Sequence, residues 1–210
     1  EEVRADWSKN GFRLLTEAEW EYAAREKGMK IRFGNGQNIA DPEAMNFDAE
    51  HPYNARYASG WYKEGKSRKK TTPVQQFPPN ALGLYDMSGN VLEWCWDEWS
   101  EGTYYKESKG QQDPTGPETG ENRRVVRGGA WVNIANECRC SYRNRNNTIN
   151  RNNYVGFRVG RHLPSISQSC VAKPCQHERA MVSARFIRSF RRDKYFDNQV
   201  RLVPQWERRP

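Results

Sequence analysis

Apolar residues recur at helical spacing at one place in the first half of the chain. Within residues 11–27, GFRLLTEAEWEYAAREK, the side chains of Trp20, Ala23 and Ala24 fall on one face. Thr16 is a favourable N-cap, and Glu19 three residues later completes a capping box, with Leu15 just before it. Gly28 is the natural stop. From residue 33 to 82 the periodicity disappears. Gly34, Gly36, Pro42, Pro52, Gly60, Gly65, Pro73, Pro78 and Pro79 punctuate a long loop region. Its GKSRKK stretch (65–70) reads as an exposed basic loop, since the spaced glycines and following helix of a phosphate loop are missing.

Residues 80–97, NALGLYDMSGNVLEWCWD, alternate apolar and polar positions around turns at Gly83 and Gly89, which predicts short strands. Residues 100–124 are polar, with turns at Asp113-Pro114 and Gly116-Pro117, and predict a loop. Val125-Val126 predicts a buried strand.

The stretch that follows, 127–158, is RGGAWVNIANECRCSYRNRNNTINRNNYVGFR. Two apolar anchors, RGGAW and VGFR, enclose a run crowded with asparagine. Asn forms helices and strands poorly but turns well, and its amide both donates and accepts hydrogen bonds. The pattern predicts a segment that displays polar side chains: Asn133, Asn136, Tyr142, Asn144, Asn146, Asn147, Asn150, Asn152 and Tyr154. Trp131 and Phe157 are expected to be buried supports, and the Gly128-Gly129 pair to permit close backbone approach.

Composition changes this picture in two ways. Hydrophobic content is only 36%, but eight Trp, ten Tyr and eight Phe bury large areas, which suits a loop-rich domain packed on aromatics. The net charge of +8 is mostly local: residues 163–210 carry ten Lys/Arg against four Asp/Glu. A charge held in a tail says little about what the folded body binds, so a solvated tail is favoured over nucleic-acid contact. Leu163-Pro164 marks the domain edge, giving a body at 1–162 and a basic tail at 163–210. Within the tail, Met181, Ala184, Ile187 and Phe190 recur at three-residue intervals and predict a basic amphipathic helix over 178–192. No apolar run approaches the ~20 residues that span a bilayer.

Five cysteines, Cys95, Cys138, Cys140, Cys170 and Cys175, cannot all pair internally and lack the spacing of a zinc site. Cys138 and Cys140 would share a face if their segment were a strand. Without a nearby His or second Cys pair, two half-buried thiols are the simpler reading. Asp86, Asn90 and Glu93 place hard oxygen ligands close together around a turn, which suits calcium, although Asx-turn capping explains Asp86 and Asn90 equally well.

Three phrases, FRLLTEAEWEYAAR (12–25), FPPNALGLYDMSGNVLEWCWDEW (77–99) and RVVRGGAW…NNYVGFRV (124–159), resemble the formylglycine-generating enzyme (sulfatase-modifying factor) superfamily in order and spacing. The resemblance implies an α+β, loop-rich variant of the C-type-lectin fold. It also implies strands upstream of the helix, so the N-terminal part of the domain is expected to be missing from this sequence. Catalytic members place a copper-binding cysteine pair after the GG-aromatic anchor, and the first of those positions falls here on Asn133. Cys140 matches a non-catalytic cysteine of the family, and Cys138 reaches the second catalytic position only with a two-residue gap. An amide is neither a nucleophile nor a soft ligand for copper(I). The resemblance therefore implies no catalytic residue here, with copper needed only if the chain were a formylglycine-generating oxidoreductase acting on a substrate cysteine. It further implies a structural calcium ion held by Asn90, Glu93 and the backbone of Gly89 and Val91, and the start of a second site at Asn46 and Phe47.

The Asn-rich run interrupted by Ser141, Tyr142, Thr148 and Tyr154 also resembles the variable proteins of diversity-generating retroelements, in which adenine-directed mutagenesis rewrites this segment. Tyr, Ser and Asn make adaptable contacts at low entropic cost. The expected function is ligand binding without catalysis, the partner being a protein or surface ligand.

Overall fold

The computed structural model of the chain describes residues 11–51 and 60–161. The expected tail at 163–210, with its helix, lies outside the described residues. Helix α1 (Glu17–Ala24) begins as the sequence requires: Thr16 is extended, its Oγ1 accepts from the Glu19 N–H, and the Glu19 carboxylate accepts from the Thr16 N–H. The helix stops three residues earlier than the pattern suggests, because Glu26 and Lys27, as well as Gly28, turn into the left-handed region.

Strand β1 (Phe12–Leu14) pairs antiparallel with β6 (Val159–Arg161), so the two ends of the described domain lie side by side. The main sheet has the order β4-β3-β2-β5, with β2 Leu92–Glu98, β3 Arg123–Arg127, β4 Asn144–Asn147 and β5 Val155–Phe157. Its pairings are antiparallel except β2 with β5, which is parallel. Val125 and Val126 are fully buried in β3, as expected.

Three local expectations change. Residues 83–91 contain no strand: Gly83, Asp86, Gly89 and Asn90 all have positive φ, so the chain turns repeatedly and the strand starts only at Leu92. The polar stretch after residue 100 contains a short helix, α2 (Thr103–Glu107). Most relevant to function, Asn144–Asn147 is not a loop but an edge strand on β3, with Asn144 opposite Val126 and Asn147 opposite Arg123. Low intrinsic strand propensity is overridden there by the ladder to a buried neighbour.

Three apolar clusters form the core. The first gathers Leu15, Trp20, Ala24, Met87, Cys95, Val125 and Cys140 between α1 and the sheet. The second holds Phe33, Met45, Phe47, Trp61 and Cys138 under the long loops. The third, Leu92, Val126 and Ala130, is covered by Trp94, Tyr154 and Val155. No described helix is long and apolar enough to cross a membrane.

Candidate functional site

The display segment starts at a double-glycine turn. Gly128 (φ +90°) and Gly129 (φ +71°) both occupy the left-handed region. A Cβ on Gly129 would lie 2.6 Å from the Cys138 Sγ, and one on Gly128 3.1 Å from the Trp20 ring. The close backbone approach is therefore to this protein's own side chains. Just past the turn, Asn133 is used internally. Its Oδ1 accepts from the Ala130 N–H (2.9 Å), its Nδ2 donates to Glu137 (2.6 Å), and its carbonyl accepts from the Asp48 N–H (2.9 Å).

The other candidate contacts divide into three groups. Asn136 lies within a 3-10 turn at Ala135–Cys138 and is half-buried; Tyr142 follows the turn, and its hydroxyl donates to Glu137 at 3.2 Å. Asn144, Asn146 and Asn147 lie on β4, and Asn150 and Asn152 follow it, Asn150 exposed and Asn152 half-buried. Tyr154 is half-buried against the third cluster, and its carbonyl accepts from the Leu92 N–H. Of the two expected supports, Trp131 is half-buried, whereas Phe157 is 36% exposed. Phe157 sits on β5, an edge strand among the described residues.

Beneath the segment lies a polar frame. Arg127 is fully buried and donates to the carbonyls of Tyr142 and Cys140 and to Glu21, with its guanidinium 5.2 Å from the centre of the Trp20 ring. Arg143 forms a two-pronged pair with Glu17 at 2.6 and 2.7 Å. The Glu17 N–H in turn donates to the Asp97 carboxylate at 2.7 Å, and burial pushes Asp97 up to about 6. These residues hold both ends of the 140–143 stretch against α1. Sequence reasoning missed them; the only signal was an arginine fixed next to the double glycine.

Cys138 and Cys140 do not share a face. Cys138 points into the second cluster and Cys140 into the first, on opposite sides of the segment. The segment is not a strand there: a 3-10 turn ends at Cys138 and separates the two side chains. Burial raises both thiols far above the usual range, Cys140 to about 12. Among the described residues no group of three or more His, Cys, Asp or Glu side chains could hold a metal ion.

The residues expected around calcium are also occupied by one another. Gly89 (φ +82°) lets the backbone come up to Asn46, whose carbonyl accepts from the Asn90 N–H at 2.7 Å. Asn90 Oδ1 accepts from the Asn46 amide and from the N–H and hydroxyl of Thr72. Both oxygens of Glu93 are taken by Arg158, and one also accepts from the Trp20 indole at 2.7 Å. Phe47 and Val91 are buried apolar neighbours of this junction. At this junction Asn46 Oδ1 and Arg158 Nη1 are buried without a hydrogen-bond partner. A carboxylate neutralised by an arginine and an amide oxygen with three donors do not fit a cation.

Residues 4–163 match the family of the sulfatase-modifying factor enzyme 1-like domain. The serine/threonine-protein kinase Pkn1 of Chlamydia trachomatis serovar L2 is 38% identical over 154 residues, covering 73% of this chain and 22% of the kinase. The formylglycine-generating enzyme of Thermomonospora curvata is 38% identical over 146 residues, covering 67% of this chain and 43% of the enzyme. Among solved structures, Treponema denticola variable protein 1 is similar with a TM-score of 0.50 at 36% identity, over 73% of this chain and 49% of that one. The chain thus spans less than half the length of each of these relatives.

Proposed function

Because the chain belongs to the sulfatase-modifying factor enzyme 1-like family, we propose that it uses this scaffold to bind a ligand and not to oxidise a cysteine. Its fold is the loop-rich α+β, C-type-lectin-like fold of the formylglycine-generating enzymes. The observation that carries the reading is the fate of sulfur in the segment after the double glycine. An amide, Asn133, caps the turn where the family resemblance calls for a thiol, and the two nearby thiols are sunk in separate cores. A buried thiol with a raised pKa holds its proton, so it neither attacks nor ligates as a thiolate at neutral pH.

The ligand-binding half of the reading is supported by the likeness to a variable protein and by a segment whose tip is exposed while its base is clamped. Arg127 and Arg143 supply a rigid platform, and a fixed platform lowers the entropic cost of presenting variable side chains. The partner is a protein or surface ligand. The buried Glu93–Arg158 pair ties β2 to the chain just after β5.

One experiment separates this from the enzymatic alternative. Copper(I) titration with oxygen-uptake measurement on a cysteine-bearing peptide is expected to give no saturable turnover; turnover would overturn the proposal. For the retroelement origin, the coding region of residues 127–158 is expected to have a near-copy beside a reverse transcriptase, differing only at adenines.

A further inference from the structure

Among the described residues strand β4 has one unpaired edge, and two main-chain donors on it, with a third in the turn just after it, are taken by asparagine side chains. In an antiparallel ladder alternate residues turn their N–H and C=O groups toward the partner strand, and the residues between turn theirs away. The Thr148 N–H bonds the Asn122 carbonyl, continuing the β3 side of the ladder. Even-numbered residues therefore face β3, Arg145 and Asn147 turn their N–H groups outward, and Ile149 follows in the turn that the Asn150 N–H closes on the Asn147 carbonyl. Each of these has an amide oxygen as acceptor: Asn144 Oδ1 for Arg145 (2.8 Å), Asn146 Oδ1 for Asn147 (2.9 Å) and Asn147 Oδ1 for Ile149 (3.1 Å). The Asn150 amide donates to Asn146 Oδ1 at 2.6 Å and fixes the second of these caps.

An edge strand with a row of open donors, about 7 Å apart at every second residue, is a template for another strand. Side chains that bond the neighbouring backbone compete with such a ladder. We propose that Asn144, Asn146 and Asn147 hold the β4 edge closed to strand addition, including addition of a second copy of this chain. The asparagines of β4 then act as positioning residues, and partner contact falls to side chains that make no such bond. Ile149, 79% exposed, and the exposed Arg151 and Asn153 are those side chains, and a folded protein surface, not an extended peptide, is the partner they suit. This last step rests on the ligand-binding reading above; closure of the edge does not, so the two fail separately.

Hydrogen exchange on the full chain tests the closure directly. The amides of Arg145, Asn147 and Ile149 are expected to exchange at least tenfold more slowly than unstructured amides; exchange at the unstructured rate overturns the proposal. The variant N144V/N146V/N147V is expected to associate at tens of micromolar in sedimentation velocity, beyond any association of the unaltered chain. R145V/T148V adds comparable apolar, β-branched surface but leaves the caps, and is expected not to associate further. A folded valine triple that associates no more than the unaltered chain overturns the proposal, as does equal association of both variants. If the valine triple fails to fold, the exchange rates of the unaltered chain decide.

Discussion

Arg158 and Glu93 form a fully buried pair in which the arginine Nε and Nη2 reach the two carboxylate oxygens at 2.5 and 2.6 Å. Trp20 donates its indole N–H to the same carboxylate, so α1, β2 and the chain just after β5 meet at one charge. The three phrases by which the sequence is recognised each contribute one of these residues. Their spacing in the chain is the trace of one three-way junction.

Removing one partner leaves the other charged and buried. Glu93→Gln is therefore expected to destabilise the domain by about 3–5 kcal/mol, and Glu93→Leu with Arg158→Met to recover much of that loss. Chemical denaturation of the three proteins checks the order. Because Glu93 is neutralised by arginine, EDTA and millimolar calcium are both expected to leave the melting temperature within about 1 °C; a rise of several degrees with calcium would mean that the ion displaces Arg158.

Asp97 gives a pH dependence with an unusual sign. Burial raises its folded pKa to about 6, above its ordinary value of 3.8, so the folded state holds a proton that the unfolded chain gives up between those values. The contribution to stability is fully present below about pH 3.8 and is lost as pH rises through about 6. Asp97→Asn keeps an oxygen to accept from the Glu17 N–H and removes the charge. It is expected to stabilise the domain at pH 7.5 by on the order of 2 kcal/mol and to show little gain at pH 4. An equal effect at both pH values would assign the change to packing against Gly116, whose Cα side lies directly over Asp97.

What could be seen in the sequence was what depends on neighbours in the chain. The Thr16–Glu19 capping box, the Trp20 stripe and the Val125-Val126 strand are local, and the structure contains all three. The β4 strand was not legible, because four residues of sequence NRNN have no strand propensity; they pair only because β3 presents a free edge. Nor was the fate of Asn133, whose partners at Ala130, Glu137 and Asp48 include one from a distant loop. Composition marked the asparagines as polar and displayed, while the structure divides them between caps and exposed positions. The two-residue spacing of Cys138 and Cys140 could not place their side chains, for a related reason. Spacing predicts a shared face only within a strand, and the 3-10 turn there sends the two side chains into different cores.

That division is testable by alanine substitution. Asn133→Ala removes the acceptor of the Ala130 N–H and the donor to Glu137, and is expected to cost about 1–2 kcal/mol. Asn153→Ala, at an exposed position, is expected to change stability by less than about 0.5 kcal/mol. Thermal melts measure both. Equal losses would show that the exposed part of the segment is structural as well.

The cysteines offer the last check, since the proposed loss of chemistry depends on where they point. Cys95, Cys138 and Cys140 are all fully buried, and burial is the largest cause of the upward shift of each thiol. Thiolate is the reactive form, so access and ionisation both oppose modification in the native state. With an aromatic disulfide reagent at pH 8, these three positions are expected to react at least a hundredfold more slowly in the folded protein than in 6 M guanidinium, as peptide mapping resolves them individually. Restoring sulfur where the amide now stands, in Asn133→Cys, is expected to introduce one faster-reacting thiol, because Asn133 is only half-buried. It is not expected to create high-affinity copper(I) binding, since Cys138 faces the Phe33–Phe47 core and Cys140 the Trp20 core. Tight copper binding by that single variant would mean that one of the two buried thiols swings out to meet it, and would return the segment to oxidative chemistry.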